Sequence, residues 1–131
     1  MSKATEARLA LWAGRISSAI VVGVLVADGA VQLFAPTQIA SLLRETGFAM
    51  HLTRVLGPIV LACAVLYAFP PTAALGAILV TAYLGGAICA HARIGELGSA
   101  PDAFSLFLGV MAWGGLYARD PRVRSILPLT H

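Results

Sequence analysis

Four apolar stretches fill most of this 131-residue chain, and Asp28 is the single ionisable residue that interrupts the interior of any of them. Only 11% of the residues are charged, whereas a soluble domain carries about 25%. A chain of this size could not hide so much apolar surface from water, because small domains leave a large share of their surface exposed. The sequence therefore predicts an integral membrane protein.

The four stretches predict one all-α domain over residues 1–131, folded as a four-helix transmembrane bundle. A helix needs about 20 residues to cross the hydrocarbon core, and the second and fourth stretches are slightly short by uncharged residues alone. A three-span arrangement with a re-entrant second stretch is the alternative. Residues 37–47 predict a short amphipathic segment outside the membrane. The spans are expected near residues 16–35, 51–69, 73–92 and 103–118.

The distribution of Lys and Arg predicts that both termini lie in the cytoplasm. Residues 3–15 and 119–124 each contain three bases, whereas the opposite side would hold only Arg44, Arg54 and Arg93. Cytoplasmic segments of membrane proteins carry the excess of basic residues. The expected location is the bacterial cytoplasmic (inner) membrane, with the lipid bilayer as the surrounding partner. No basic run is interleaved with exposed aromatic residues, so a nucleic-acid partner is not expected.

With this orientation, three spans bring polar groups to the outer level of the membrane. Asp28 and Gln32 are one turn apart on span one, Arg54 begins span two, and His91 and Arg93 end span three. An unpaired carboxylate in hydrocarbon costs about 2.5–3.5 kcal/mol on insertion scales. Asp28 should therefore face the interior of the bundle and find a partner there. Arg54 and His91 are the candidates of matching depth.

Two interpretations of Asp28 follow. In the structural one, Asp28 and Arg54 form a buried pair that fixes the register of the helices. In the functional one, these groups form the polar end of a pocket for a small amphipathic molecule, open to the outer leaflet. Snorkelling to the headgroups is the simpler explanation of Arg93. Secondary candidates for the cavity lining are Tyr67, Thr81 and Tyr83.

Thiol and metal chemistry have little support in the sequence. Cys63 and Cys89 should differ in height by roughly 10–15 Å along their helices, whereas the α-carbons of a disulfide lie within about 7 Å of each other. His51 and His91 occur without an HxxxH or HxxE spacing, so no metal site is predicted.

Several short motifs lie in the second, third and fourth spans and in the segments next to them. The most specific run leads from Tyr-Leu-Gly-Gly at 83–86 to His-Ala-Arg at 91–93. The others are LGP at 56–58, LY at 66–67, PPTA at 70–73, LGAIL at 75–79, WGGLYARDPR at 113–122 and LPL at 127–129. Together these motifs resemble the DoxX-like family.

The resemblance implies a four-helix integral membrane protein of the DoxX/DoxD type. Some relatives are linked with quinone-coupled sulfur oxidation or with oxidative-stress partners, and most have no assigned activity. The family often carries a lysine in the turn after the Asp28-Gly29 pair, where this chain has Gln32. If that lysine normally pairs with the acid, Asp28 must use another partner in this chain.

The leading prediction is a binding or accessory protein that holds a quinone- or isoprenoid-like molecule, with a quinone as the candidate cofactor. Membrane or redox proteins are candidate partners, and a homo-oligomer is compatible with this role. The first alternative is an enzyme that performs isomerisation or epoxide opening on a lipophilic substrate, with Asp28, His91 and Arg54 as catalytic groups. The second is a structural subunit. The predicted ligand contacts are Asp28, Gln32, Arg54, Tyr67, Thr81, Tyr83, His91 and Arg93.

Overall fold

A computed structural model describes residues 1–127, and over these residues the chain is all-helical, which confirms the predicted class. Short 3-10 turns precede three of the helices, at Pro36–Ile39, Met50–Leu52 and Pro70–Thr72. Pro128 and Leu129 of the last family-like motif lie outside the described residues. The helices are α1 (Lys3–Phe34), α2 (Ala40–Thr46), α3 (Thr53–Ala68), α4 (Ala73–Arg93), α5 (Ala100–Arg119) and α6 (Pro121–Ile126).

Proline and glycine set the ends of the helices. Phe69 follows α3 with an extended backbone, as expected for a residue that precedes proline. Gly47 ends α2 with a φ of 74°, a left-handed conformation that glycine adopts without steric cost. Pro121 begins α6, where its missing N–H needs no intrahelical partner. Proline and glycine residues therefore mark the ends of these helices in the sequence.

Within the described residues, three helical segments are long and apolar enough to cross a membrane: Lys3–Phe34, Met50–Ala68 and Pro70–Arg93. The outer faces of the helices carry exposed apolar side chains such as Ile16, Val55 and Phe107, which suits contact with lipid. Helix α5 is not among the three, since Asp102 and several glycines lower its mean hydropathy. A fourth crossing therefore stays a prediction.

The four long helices pack as a ring in which α1 and α4 each contact both α3 and α5. Helices α1 and α4 therefore lie diagonally opposite each other. Small residues bring the neighbouring helices close together, which is how helices associate without a hydrophobic driving force in lipid. For example, the Cβ of an alanine at position 14 would lie 2.8 Å from the carbonyl oxygen of Gly115. Between the helices lies a core that includes Val21, Leu25 and Val60.

Helix α2 covers the end of the bundle where α1 ends and α3 begins. It coincides with the predicted amphipathic segment, and it buries Leu43 and Thr46. The guanidinium of Arg93 at the end of α4 donates a hydrogen bond to the carbonyl oxygen of Thr46. This bond holds α2 against α4 and closes that end over the space between α1 and α4.

Candidate functional site

Three polar side chains form a closed hydrogen-bonded cluster between α1 and α4. The Nε2 atom of Gln32 donates to Oδ2 of Asp28 at 2.9 Å and to the hydroxyl oxygen of Tyr83 at 2.7 Å. The hydroxyl of Tyr83 donates in turn to Oδ2 of Asp28 at 2.7 Å. Asp28 is half-buried and Gln32 is buried. The partners of the intramembrane carboxylate are therefore a neutral amide and a phenol.

Local geometry explains how this cluster forms. Asp28 and Gln32 are four residues apart, so that their side chains lie on one face of α1. Tyr83 reaches them from the diagonal helix α4, because its ring spans the gap that α3 and α5 leave between α1 and α4. An ionised carboxylate can only accept hydrogen bonds, so the amide nitrogen of Gln32, rather than its oxygen, must face Asp28.

The cluster uses its donors and leaves acceptors free. The Nε2 atom of Gln32 and the hydroxyl of Tyr83 act as donors within the cluster. Among the described residues, Oδ1 of Asp28 and Oε1 of Gln32 have no hydrogen-bond partner, and neither atom is fully buried. A polar group that donates a hydrogen bond could therefore bind at these two oxygens.

The cluster lies in the wall of a cavity of about 340 Å³. Most of the lining is apolar and comes from α1, α2, α3, α4 and α5, with Leu56 as the contribution of α3. Phe48 and the residues of α2 line it at the covered end. The polar residues in the lining are Asp28, Gln32, Thr46, Tyr83, His91 and Ser105.

His91 forms a second polar position in the same cavity. Its Nδ1 atom lies 2.9 Å from the carbonyl oxygen of Ala87 and 3.5 Å from Oδ1 of Asp102. Both neighbours are acceptors, so Nδ1 carries a proton. The Nε2 atom is buried and has no partner among the described residues. Tyr83 and His91 are eight residues apart on α4, which separates their α-carbons by about 12 Å along the axis.

Asp102, which the sequence does not single out as a site residue, lies next to His91. It is buried in the first turn of α5, and its Oδ2 accepts a hydrogen bond of 3.0 Å from the backbone N–H of Gly98. A signal was present in the sequence, because Ser99 and Asp102 have the spacing of a capping box before an apolar run. That pattern predicts a helix start, but it does not reveal His91 as the neighbour.

The predicted pairing of Asp28 with Arg54 is absent from the described residues and needs correction. Arg54 is exposed and does not line the cavity. Matching depth placed the two residues at one level, but the direction in which a side chain leaves its helix also matters. Tyr83 and Gln32 satisfy the carboxylate instead. The cavity brings together Asp28, Gln32, Tyr83 and His91.

Three further predicted contacts lie elsewhere in the bundle. Tyr67 is fully buried and donates a hydrogen bond of 2.7 Å to the carbonyl oxygen of Ala112. Thr81 accepts a hydrogen bond of 2.8 Å from the indole N–H of Trp113. Arg93 contacts α2, as described above. None of the three lines the cavity that contains Asp28.

No group of three or more His, Cys, Asp or Glu residues within 1–127 could hold a metal ion. Cys63 is buried, Cys89 is exposed, and the two are not joined by a disulfide. Helices long and apolar enough to span a bilayer, and a polar cluster enclosed among them, together define a helical membrane protein.

The comparison with protein families agrees with the sequence motifs. The model of the DoxX-like family matches residues 16–115, which include α1 from its first apolar turn, α3, α4 and most of α5. The chain belongs to the DoxX-like family. No curated protein and no solved structure matches it.

Proposed function

We propose that this protein crosses the bacterial inner membrane four times, with both termini in the cytoplasm, and holds a lipophilic molecule in the cavity between α1 and α4. The molecule is quinone- or isoprenoid-like and carries a hydroxyl group. One observation carries the proposal: an apolar cavity of about 340 Å³ has the Asp28–Gln32–Tyr83 cluster in its wall.

The size and lining of the cavity support a small ligand. Ligand sites are mostly apolar clefts of about 300–1,000 Å³ in which a few polar groups fix the orientation. Here Leu25, Leu84 and Leu108 belong to the apolar lining. The polar cluster supplies the orienting groups. An isoprenoid chain matches the apolar walls, since it buries hydrocarbon along its whole length.

The free atoms of the site favour a hydroxyl over a carbonyl. Oδ1 of Asp28 and Oε1 of Gln32 are acceptors without a partner among the described residues. A quinol or an isoprenoid alcohol can donate to such atoms. An oxidised quinone has only carbonyl acceptors, which would face the free oxygens of Asp28 and Gln32. We therefore favour the reduced, hydroxyl-bearing form of the ligand.

A binding role fits this geometry better than the alternative acid–base enzyme. Catalysis would require Asp28 and His91 to act on neighbouring atoms of one substrate. The α-carbons of Tyr83, which contacts Asp28, and of His91 lie about 12 Å apart along α4, and hydrogen bonds join the two side chains to different partners. A ligand that spans the cavity could touch both residues, one at each level. In an accessory role the protein would act beside a membrane or redox partner, as a single chain or as a homo-oligomer.

The proposal is tested with two probes that share one isoprenoid chain: farnesol, which carries a hydroxyl donor, and farnesyl methyl ether, in which a methyl group replaces the hydroxyl hydrogen. Affinities are measured for the purified full-length protein in detergent by native mass spectrometry. A charge-assisted hydrogen bond contributes about 1.5–3 kcal/mol, so farnesol should bind at least about tenfold more tightly than the ether.

Two variants connect this preference to the site. Asp28→Asn should remove most of the preference for farnesol, because it replaces a carboxylate by a neutral amide. Glu96→Gln is the matched control, since Glu96 is exposed in the loop between α4 and α5. Circular dichroism checks that both variants fold. Equal binding of the two probes to the unmodified protein, or an equal effect of the two variants, would overturn the proposal.

A further inference from the structure

At the opposite end of the bundle from α2, a groove of about 430 Å³ opens between α1, α3 and α5. Arg15 lies where the apolar part of α1 begins, Ala68 is the last residue of α3, and Arg119 is the last residue of α5. All three line the groove. The groove is therefore located where the apolar surface of the bundle meets the interface of a membrane.

Close packing explains why the two arginines share this groove. A Cβ on Gly14 would lie 2.8 Å from the Cβ of Ala118 and 3.1 Å from the backbone nitrogen of Arg119. The absence of a side chain at Gly14 thus lets α1 and α5 touch at this level. Arg15, the next residue, is brought to the height of Arg119.

Neither arginine is neutralised by an acidic group in the described part of the chain. Within residues 1–127, no carboxylate forms an ion pair with Arg15 or Arg119. Arg119 donates a hydrogen bond of 2.9 Å to the carbonyl oxygen of Tyr67, and its guanidinium lies 5.1 Å from the centre of the Tyr67 ring. These contacts fix the guanidinium in place, while its Nε atom is buried without a partner. Arg15, whose guanidinium also lies 5.6 Å from the centre of the Trp12 ring, and Arg119 thus both line a groove to which residues 1–127 contribute no anion.

An apolar slot continues from the arginines toward the middle of α1. Ala19, Val22 and Gly23 line the groove below Arg15. A Cβ on Gly23 would meet no atom within 4 Å, so this part of the slot is open.

We infer that the groove formed by Arg15, Arg119, Gly23 and Ala68 binds an anionic phospholipid, with the phosphate at the two guanidiniums and an acyl chain along the slot. Guanidinium groups match phosphate oxygens with paired N–H donors. Basic pockets between transmembrane helices are suited to anionic headgroups. Charge complementarity selects the headgroup, and the slot favours a lipid over a free phosphate. This inference is independent of the ligand proposed for the cavity at the other end.

The headgroup contact is tested on the full-length protein in detergent by native mass spectrometry with added phosphatidylglycerol or phosphatidylcholine. Phosphatidylglycerol should bind preferentially, and Arg15→Gln should weaken it about fivefold, the effect of removing one basic group near a membrane surface. Arg8→Gln is the control, because Arg8 is exposed on the same helix outside the groove. Arg119 is left unchanged, since it also holds the end of α3.

The slot is tested with Gly23→Val, which fills open space, and with Gly86→Val as a control of the same helix propensity on an open face of α4. Gly23→Val should lower the binding of phosphatidylglycerol severalfold, and Gly86→Val should leave it unchanged. Equal binding of the two lipids, equal effects of Arg15→Gln and Arg8→Gln, or no effect of Gly23→Val would overturn the inference. Full displacement of the lipid by millimolar inorganic phosphate would also overturn it, in favour of a free phosphate.

Discussion

The hydroxyl of Tyr83 donates a hydrogen bond of 2.7 Å to Oδ2 of Asp28 and so joins two helices that lie diagonally opposite in the bundle. Gln32 donates to both groups, and loss of any one of the three side chains removes two of the three hydrogen bonds and leaves polar atoms with fewer partners. Such atoms are costly where no water can replace the lost partner. The cluster therefore connects the packing of α1 and α4 to the polarity of the cavity between them.

Replacement of Tyr83 by Phe should destabilise the protein. The variant keeps the ring but removes the donor to Asp28 and the acceptor for Gln32, at an expected cost of about 1–3 kcal/mol. Unfolding by sodium dodecyl sulfate in mixed micelles, followed by circular dichroism, measures this loss. Tyr117→Phe is the control, because the Tyr117 hydroxyl makes no hydrogen bond within the described part of the chain. Equal stability of Tyr83→Phe and Tyr117→Phe would contradict a stabilising role of the hydrogen bonds between Tyr83, Asp28 and Gln32.

Replacement of Tyr67 by Phe should separate stability from ligand binding. The Tyr67 hydroxyl is fully buried and donates to the carbonyl oxygen of Ala112, away from the cavity. Its loss should cost about 1–3 kcal/mol of unfolding free energy. The preference for farnesol over its methyl ether should stay as in the unmodified protein. A reduced preference at unchanged stability would instead assign Tyr67 to the ligand.

The position of a residue along its helix could be predicted from this sequence, whereas the direction in which a side chain leaves the helix toward its neighbours could not. The four-residue spacing of Asp28 and Gln32 is enough to place them on one face of α1. Span boundaries likewise placed Arg54 near the level of Asp28, but the packing of α3 leaves Arg54 on an exposed face. The sequence predicts Tyr83 only as a residue of the cavity lining. Its role as the partner of Asp28 depends on the width of the gap between α1 and α4.

In the fold, features that depend on neighbouring residues could likewise be predicted, whereas contacts between distant residues could not. Hydropathy and prolines define the helices, because both act within a few residues of the chain. The contact of His91 with Asp102 depends instead on the turn at 94–99, which folds α5 back onto α4. The capping pattern at Ser99 and Asp102 is local and visible in the sequence. The approach of His91 to Asp102 across the turn cannot be read from the sequence.

Replacement of Asp102 by Ala should loosen the turn between α4 and α5. The backbone N–H of Gly98 loses its acceptor, and His91 loses the carboxylate at 3.5 Å. Loss of a capping interaction costs about 1 kcal/mol, so amide exchange across residues 94–104 should accelerate by roughly five- to tenfold. Hydrogen–deuterium exchange with mass spectrometry measures this rate.

Asp120→Ala is the matched control for this exchange experiment. Asp120 accepts a hydrogen bond of 2.9 Å from the backbone N–H of Arg122 and thus caps α6 at the other end of α5. The Asp120→Ala variant should accelerate amide exchange in α6 and leave the exchange rate of residues 94–104 unchanged. If Asp102→Ala leaves exchange in the turn unaltered, the bond to Gly98 does not hold the turn in the membrane-bound protein.

Replacement of Gly76 by Ala should destabilise the bundle strongly. The added Cβ would collide with the backbone nitrogen and α-carbon of Tyr67, and these atoms cannot rotate away as a flexible side chain could. Helices α3 and α4 would have to move apart, at a cost of about 3 kcal/mol or more. Gly86→Ala is the control on the same helix, because its Cβ meets no atom within 4 Å. There alanine should raise helix stability by up to about 1 kcal/mol. Opposite signs in the unfolding experiment support the close contact of α3 with α4, and a neutral Gly76→Ala would contradict it.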